Sequence, residues 1–466
     1  MLLPALVDLH SGNQDWRVFV HSSIATLAVA FLVLLATQGA KQRFTPRLGF
    51  LLTTCLWLTG SLIGALPLYF SPLHLSIAQA VFESVSGITT TGATVITELD
   101  YAPRGLLLWR SLVCWIGGIG FIALALLILP SLRVGGVQLF EMESSDRSDK
   151  ILPRIQQIAN SIMAAYLGLT IICALSYLTA GMGLFDAINH AMTTIPTAGF
   201  STHDASFGYF TKHKESILIV STVFMLLSAI PFILYVKLVL PARSKNLFEQ
   251  QIIIFLSIVL ISSFIIATWL RFNHNLPFPR AFLTALFNFS SIITTTGYAS
   301  EDYLQWGPFA WGFFFVAGFI GGCSGSTSGG IKISRMIIIA RASMGHFTQL
   351  ISPHAVVKLR YDGNYLSSEL VQNVTLFIVL YMASLIIGTL FLCMTGLDFI
   401  TAITGALTTL SNVGPGFGHL IGPAGNFATI NDQALWILSF LMLAGRLELI
   451  TIFILFSPAF WKNNLG

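Results

Sequence analysis

The sequence has few charged residues and a correspondingly large apolar fraction. Asp, Glu, Lys and Arg make up 9% of its 466 residues, whereas a soluble globular domain carries about 25%. Apolar residues make up 55%, and the mean hydropathy is +0.79. A surface with so few charges is solvated by lipid rather than by water, so the composition predicts an integral membrane protein.

Other absences exclude several classes of site. The five cysteines are scattered without a CxxC pair, and no two histidines lie three or four residues apart, so neither a disulfide framework nor a zinc site is predicted. The first residues, MLLPALVDLH, lack the basic stretch of a signal peptide. The net charge of +4 is modest, and no basic run alternates with aromatic residues, which excludes nucleic acid as a partner.

Nine apolar stretches are long enough to cross a hydrocarbon layer of about 30 Å. They begin near Val18, Leu48, Leu106, Ile158, Ser216, Ile252, Trp306, Val371 and Ala434. Between them lie four apolar segments that are too short to cross, at 77–97, 184–200, 280–298 and 398–418. Non-helical backbone at membrane depth survives only inside protein or beside a water-filled cavity, so four re-entrant segments around a central pore are predicted.

The basic residues predict the orientation, because cytoplasmic loops hold the excess of Lys and Arg. Segments 41–47, 133–154, 237–245 and 332–360, together with Lys462, hold 16 of the 24 basic residues. Seven others, including Arg110, are assigned to the outer face, and Arg446 falls inside the last span. The C-terminus is therefore predicted to be cytoplasmic.

The four short segments align on one glycine each, Gly92, Gly199, Gly297 and Gly414. Twelve residues upstream every segment has alanine, and six residues upstream every segment has a hydroxyl, at Ser86, Thr193, Ser291 and Thr408. Close packing of helices through small residues explains the glycines and alanines but not several columns in one register. We therefore predict four repeats of helix, pore helix, extended loop and helix.

Such loops suit a dehydrated cation, which can regain an oxygen shell from a ring of backbone carbonyls. The extended loop needs residues at φ > 0, where glycine has no steric penalty, and the C-terminal end of each pore helix favours positive charge. Because no carboxylate ring is present, a large monovalent ion is favoured over Ca²⁺ or Mg²⁺, and K⁺ is the natural candidate. The predicted filter carbonyls belong to Thr90, Thr91, Gly92, Thr197, Ala198, Gly199, Thr295, Thr296, Gly297, Asn412, Val413 and Gly414.

A glycine- and hydroxyl-rich stretch interrupts the seventh span. It consists of Gly321, Gly322, Cys323, Ser324, Gly325, Ser326, Thr327, Ser328, Gly329 and Gly330. Such a composition breaks a helix, and a polar loop beneath a filter can occlude the cavity or swing aside. The alternative is a local helix break without a gating function.

Two further sets of polar residues stand out at membrane depth. Placing the Arg446 side chain at a bilayer centre costs at least about 2.5 to 3.5 kcal/mol of free energy, so we expect it to face the pore as a positive barrier. The alternative is an arginine with a purely structural role. Glu448 lies on another face of the helix and is not expected to pair with it. Glu83, His190, Asn288 and Gly405 lie nine residues before the four glycines. We interpret this set as a brace behind the filter rather than, at Glu83, as a proton-coupling site.

Four T-x-G-type filters in one chain, each flanked by two spanning helices, resemble the Trk/Ktr/HKT superfamily of K⁺ transporters from about Leu48 onward. The stretch SNVGPGFG and the extra N-terminal region are most similar to the bacterial Trk membrane subunit. Such subunits open with two spans, so the stub Met1–Leu9 is interpreted as the tail of a missing first helix. The Na⁺-transporting plant relatives have serine at the first filter glycine, so Gly92 implies K⁺, with Rb⁺ tolerated.

The resemblance also implies roles and partners. It implies a gating role for residues 321–330, a barrier role for Arg446, and a homodimer in the lipid of a bacterial inner membrane. It further implies a cytosolic nucleotide-binding gating ring that contacts the segment from Lys332 to Arg360. The chain has no nucleotide site and no organic cofactor of its own, so control by NAD, ATP or ADP would belong to that partner.

The predicted fold is an all-α integral membrane protein with four tandem helix–pore-helix–helix repeats around a central pore and an extra N-terminal span. The predicted divisions are residues 1–47 for the N-terminal region, 48–133 for repeat 1, and 134–245 for a cytoplasmic loop and repeat 2. Residues 246–362 form repeat 3 with the loop 321–330, and residues 363–466 form repeat 4.

The sequence also bears on two other functions. For an enzyme, Gly325–Gly329 has threonine where the GxSxG elbow has serine, and Gly117, Gly118 and Gly120 lie inside a span, so no catalytic motif is predicted. A secondary carrier coupled to H⁺ or Na⁺ is the stronger alternative, because broken helices also form substrate sites. Carriers usually show two repeats rather than four, but channel-like flow and coupled transport would use the same filter.

Overall fold

The computed structural model describes residues 1–39, 45–127, 151–211, 214–239 and 249–462. Within these ranges the chain is mostly helical, and its two short strands form one antiparallel hairpin. The predicted all-α class is therefore confirmed.

Two helices precede the first repeat, α1 (Leu2–His10) and α2 (Trp16–Ala36). The α1 helix is docked on the rest of the chain, because the Asp8 carboxylate accepts a hydrogen bond from the Gly105 N–H at 2.6 Å. Gly105 lies in the first turn of the helix Arg104–Leu127, whose first N–H groups have no partner within the helix. Asp8 therefore caps a helix of the first repeat.

Four units follow, each built from a long first helix, a short pore helix, an extended loop and a second helix. The first contains α3 (Pro46–Tyr69), α4 (Ile77–Ile88) and α5 (Arg104–Leu127). The second contains α6 (Ile151–Ala180), α7 (Leu184–Thr194), α8 (Gly208–Thr211), α9 (Glu215–Ser228) and α10 (Phe232–Val239). The third contains α11 (Gln250–Asn273), α12 (Phe278–Ile293), α13 (Pro308–Phe319) and α14 (Ile333–Ile351).

The fourth unit is preceded by the hairpin of β1 (Arg360–Tyr361) and β2 (Asn364–Tyr365). It contains α15 (Ser368–Met394), α16 (Phe399–Leu410), α17 (Asp432–Arg446), α18 (Ile450–Phe453) and α19 (Pro458–Trp461). Short 3₁₀ turns lie at Leu99–Tyr101, Tyr303–Trp306 and Ile454–Phe456.

Five of the described helices, α2, α3, α6, α11 and α15, are long and apolar enough to cross a membrane, and two bent pairs raise the number to seven. The chain bends by 92° between α9 and α10 and by 108° after α17. The seventh predicted span is interrupted, since α13 ends at Phe319 and α14 begins at Ile333. Arg446 is the last residue of α17, so it lies at a bend and not, as predicted, in the middle of a straight span.

The four pore helices lie inside the bundle. They have 11 to 16 residues, which at 1.5 Å per residue is too short to cross a bilayer. Side chains cap the first turns of two of them: Ser76 and Gln79 form a capping box on α4, and the Asp398 carboxylate accepts from the Thr401 N–H on α16. The long helices around them expose large apolar side chains, as lipid contact requires.

Candidate functional site

All four pore helices end in the same backbone turn, directly before the aligned glycine. The N–H of the residue directly before the glycine donates to the carbonyl of the residue five positions upstream of it. The N–H of the residue two positions before the glycine donates to the carbonyl of the residue three positions upstream of it. The first of these bonds joins Thr91 to Ser86, Ala198 to Thr193, Thr296 to Ser291 and Val413 to Thr408, at 2.8 to 2.9 Å. This pair of bonds is the Schellman motif, so each pore helix leads into its loop with the same geometry.

The turn holds a residue other than glycine in the left-handed region. The φ angle is +56° at Thr90, Thr197 and Asn412 and +59° at Thr295. Asparagine tolerates this region, but a β-branched threonine rarely adopts it. Such backbone strain persists only where the surroundings fix it, and it clusters at functional sites. The glycines also have positive φ, as predicted, but positive φ at the residue two positions earlier, which is predicted above only as a carbonyl donor to the ion, was not expected.

Each aligned glycine lies against the loop of another repeat. A Cβ atom at Gly92 would overlap the carbonyl oxygen of Ala198, and one at Gly199 would overlap that of Thr296. The same relation joins Gly297 to Val413 and Gly414 to Thr91. The contacts therefore run from repeat 1 to 2, 2 to 3, 3 to 4 and 4 back to 1. The four loops close a ring in chain order that has no space for a side chain at the glycines.

The aligned hydroxyl residues contribute to the turns mainly through their backbone. Their backbone carbonyls accept the hydrogen bonds of the turn. Among their side chains, Thr193 makes the contact to another repeat, with its Oγ1 2.6 Å from the Oη of Tyr298. The Oγ atoms of Ser86 and Ser291 are buried without a partner among the described residues. Sequence reasoning did not single out Tyr298, which follows Gly297 directly and ties the third loop to the second pore helix.

Polar side chains nine residues before the glycine hold the outgoing arm of the loop in repeats 2 and 3. His190 Nε2 lies 3.0 Å from Ser201 Oγ. The Asn288 amide donates to Ser300 Oγ at 2.7 Å and accepts from the Ser300 N–H at 3.1 Å. Both contacts join the pore helix to the residue two or three positions after the glycine, which is the geometry expected of a brace.

Repeat 1 has a charged brace. Glu83 accepts hydrogen bonds from the Thr94 hydroxyl at 2.9 Å and from the Val95 N–H at 2.8 Å. It also forms an ion pair with Arg110, whose Nε lies 2.8 Å from Oε1, and both side chains are almost fully buried. Arg110 is counted above among the charges of the outer face, and the structure adds that its side chain is buried inside the protein. An arginine inside an apolar helix was the signal that could have marked it as buried.

Repeat 4 replaces the aligned polar residue by a neighbour. Gly405 has no side chain with which to brace the loop, so its inclusion in the brace set is corrected. The Thr404 hydroxyl instead accepts from the Phe417 N–H at 3.0 Å, three residues after the glycine. The four arms are thus held from behind by four different side chains.

Residues 321–330 form a loop that lies directly against the turns that end the pore helices. The Gly329 N–H donates to Thr295 Oγ1 at 2.7 Å, and Thr327 Oγ1 donates to the Ile195 carbonyl at 2.9 Å. A Cβ atom at Gly329 would overlap the Ser411 carbonyl oxygen. The loop therefore contacts the ends of the pore helices and the turns that follow them in repeats 2, 3 and 4.

The same loop occupies the break between α9 and α10. The Cys323 N–H donates to the Ala229 carbonyl at 2.9 Å, and the Phe232 N–H donates to the Gly325 carbonyl at 2.9 Å. These bonds satisfy backbone N–H and carbonyl groups that the helix break would otherwise leave without hydrogen-bond partners at membrane depth. The helix break of repeat 2 and the loop of repeat 3 are therefore one hydrogen-bonded unit.

Arg446 lies against this loop. Its Nη1 donates to the Thr327 carbonyl at 2.9 Å, and its guanidinium lies 4.1 Å from the centre of the Phe121 ring. Glu448 forms its ion pair with Arg335 and not with Arg446, as predicted. The bend after α17 brings the arginine to the loop at the end of the helix.

The basic segment from Lys332 to Arg360 is only partly exposed. Lys332 is buried and donates to the Ser328 carbonyl of the loop, and Arg335 is also buried. Lys358 and Arg360 are exposed at the hairpin. The surface expected to meet a cytosolic partner is therefore narrower than the sequence suggested.

Four strained loops with opposed backbone carbonyls, four helix C-termini directed into them and a polar loop beneath define a membrane transport protein for a cation. The TrkH family model, described as "Cation transport protein", matches residues 16–463. The chain is 41% identical over 466 residues to the Trk system potassium uptake protein TrkI of Halomonas elongata, covering 99% of this chain and 94% of the relative. It is 36% identical over 473 residues to the Trk system potassium uptake protein TrkH of Escherichia coli strain K12, covering 99% and 96%.

The structure is also similar to the crystal structure of the potassium transporter TrkH from Vibrio parahaemolyticus. The TM-score is 0.89 at 34% identity, with 99% of this chain and 96% of the other covered. The chain therefore belongs to the TrkH family of cation transport proteins, as the resemblance predicted. Its relatives are named as transporters and not as enzymes, so the chain is a multi-pass membrane transporter.

Proposed function

We propose that this chain takes up K⁺ across a bacterial inner membrane through a four-loop filter of backbone carbonyls. The single observation that supports this most is the closed ring, in which the carbonyl before each glycine lies against the glycine of the neighbouring repeat. The filter is made of Thr90, Thr91 and Gly92 in repeat 1; Thr197, Ala198 and Gly199 in repeat 2; Thr295, Thr296 and Gly297 in repeat 3; and Asn412, Val413 and Gly414 in repeat 4.

K⁺ suits this ring because no filter residue has a carboxylate side chain and every repeat has glycine at the aligned position. Neutral carbonyls replace the hydration shell of a monovalent ion, whereas Ca²⁺ and Mg²⁺ require charged oxygen ligands. The relatives named as potassium uptake proteins support the same ion. Rb⁺ is expected to follow K⁺ through the filter.

The loop 321–330 is the gate in this proposal, and Arg446 is a positive barrier that also holds the loop closed. Their contacts to each other and to the filter turns support these roles. The protein forms a homodimer and binds a cytosolic nucleotide-binding ring near Lys358 and Arg360, with the C-terminus in the cytoplasm. NAD, ATP or ADP acts on that partner.

Uptake of radioactive rubidium tests the proposed filter, in cells that lack their own K⁺ uptake and with K⁺ or Na⁺ as competitor. Wild type should be inhibited by K⁺ alone. Gly92→Ser should lose much of this preference, because its side chain would meet the Ala198 carbonyl and its φ of +82° disfavours any residue but glycine. Gly312→Ser is the matched control, since Gly312 has open space around it in α13.

Two results would overturn the proposal. Equal inhibition of the wild type by Na⁺ and K⁺ would exclude a K⁺ filter. A Gly92→Ser protein that reaches the membrane and keeps wild-type competition would place the ion elsewhere. Either result would favour the secondary carrier.

A further inference from the structure

The ion pair of Glu83 and Arg110 is more than the filter brace requires. At the aligned position in repeats 2 and 3, and next to it in repeat 4, His190, Asn288 and Thr404 hold their loops with neutral hydrogen bonds. Two buried charges are costly to desolvate, and they persist only when each finds excellent partners. In repeat 1 the exposed fraction is 0% for the glutamate side chain and 2% for the arginine side chain. A pair of this kind therefore calls for a role other than bracing one arm.

The contacts of the other guanidinium nitrogens of Arg110 indicate this role. Arg110 Nε binds Glu83, and Nη2 donates to the Thr94 hydroxyl at 3.1 Å, so two of its donors serve repeat 1. Nη1 donates to the Ser201 carbonyl of repeat 2 at 3.0 Å. The Phe200 ring, also from repeat 2, lies 4.1 Å from the guanidinium. One side chain thus joins the outgoing arms of two filter loops.

Ser201 is the point where the two arms meet. Its carbonyl accepts from Arg110, and its Oγ is held by His190 of its own pore helix. Two residues before Ser201 is Gly199, and the carbonyl of Ala198 lies against Gly92 of repeat 1. A shift of the second arm relative to the first would therefore change the spacing of carbonyls in the ring.

We infer that Arg110 is a positioning residue that fixes the filter loops of repeats 1 and 2 relative to each other and so contributes to discrimination between K⁺ and Na⁺. Because Na⁺ is the smaller ion, a ring that can contract accommodates it better. The planar guanidinium fork holds both arms at once, which a lysine ammonium cannot do. This inference rests on the proposed carbonyl filter and deepens it.

The test compares Arg110→Lys with Arg104→Lys. Arg104 is the matched control, an exposed arginine on the same helix. Rubidium uptake is measured with K⁺ and Na⁺ as competitors and is normalised to the amount of protein in the membrane. Arg110→Lys should lower the ratio of Na⁺ to K⁺ needed for half-inhibition by about threefold or more, the effect of losing part of one charge-assisted hydrogen bond. Arg104→Lys should match wild type.

A second variant covers the case in which Arg110→Lys fails to fold. Glu83→Gln combined with Arg110→Gln removes both charges and leaves neither unpaired, which proteins tolerate better than a single loss. A third, Phe200→Leu, removes the aromatic face beneath the guanidinium and keeps the ion pair. Each should weaken discrimination between K⁺ and Na⁺.

The outcomes separate this inference from the proposed function. Wild-type discrimination in a correctly inserted variant, with uptake that only follows the amount of protein, would show a merely structural role and overturn the inference. If Gly92→Ser alters discrimination while the Arg110, double and Phe200 variants do not, the filter stands and the positioning role fails. If Gly92→Ser is also silent, the proposed function fails.

Discussion

Replacing Arg446 with alanine should raise cation flux and leave ion preference unchanged. The side chain is buried, donates one hydrogen bond to the Thr327 carbonyl and stacks on Phe121. In the described structure it therefore ties α17 to the loop 321–330. Truncation removes this tie and a positive charge from the proposed cation path, while the filter carbonyls keep their own contacts.

The magnitude follows from the two contacts. A hydrogen bond from a charged donor contributes about 1.5 to 3 kcal/mol, and a desolvated cation–π contact contributes about 2 kcal/mol. We take only about 2 kcal/mol as the net loss. Since about 1.4 kcal/mol changes an equilibrium constant tenfold, this loss shifts the equilibrium between the closed and open loop by about 30-fold. Flux should rise by up to this factor, less where the loop is already open part of the time.

Rubidium uptake per molecule in the membrane measures the change. Arg446→Lys keeps the charge but loses the planar fork, so its flux should lie between wild type and Arg446→Ala. Arg104→Ala, an exposed arginine, should behave as wild type. Unchanged flux in a correctly inserted Arg446→Ala protein would refute the barrier. A changed preference between K⁺ and Na⁺ would show that Arg446 acts on the filter instead.

Two other predictions concern the loop 321–330 and His203. Thr295→Val leaves the Gly329 N–H without its acceptor and so loosens the loop, and rubidium uptake should rise several-fold. Thr295→Ser keeps the hydroxyl and should stay near wild type. Equal uptake by both variants would contradict a role for this hydrogen bond in holding the loop. At His203, burial of the ring disfavours the imidazolium, but hydrogen bonds and charges from Asp186 and Asp100 outweigh it and raise the pKa. Its stabilisation is therefore complete below the ordinary pKa of about 6.5 and is lost as the pH rises through the raised value. The Tm difference between wild type and His203→Gln in detergent should be largest at acidic pH, and a difference that does not vary with pH would refute this.

Some of the site was predictable because a local requirement selects the residue type. A position that needs positive φ and has no room for Cβ accepts only glycine, so Gly92 and its three counterparts align. A helix that must break at membrane depth needs glycine and hydroxyl residues, so the loop 321–330 is visible in the sequence. The type of such a residue depends on its own backbone conformation and surrounding medium, and not on which other segment packs against it.

Other features depend on partners from distant parts of the chain. Threonine is common in helices and strands alike, so nothing in its type marks the left-handed turn at Thr90 or Thr295. The residue types of Arg110 and Tyr298 do not reveal their partners, because both side chains contact residues of a neighbouring repeat. The missing brace at Gly405 is supplied by Thr404, which no alignment column contains.

The amino-acid sequence by itself determined the lipid surroundings, the four repeats and the aligned glycines, since each of these is a property of a segment and its immediate surroundings. The tertiary structure decided which loop faces which, where the last span bends, and which buried charge meets which partner. Those contacts join residues far apart in the chain, and their energies depend on distance and burial, which arise only when the repeats close into a ring.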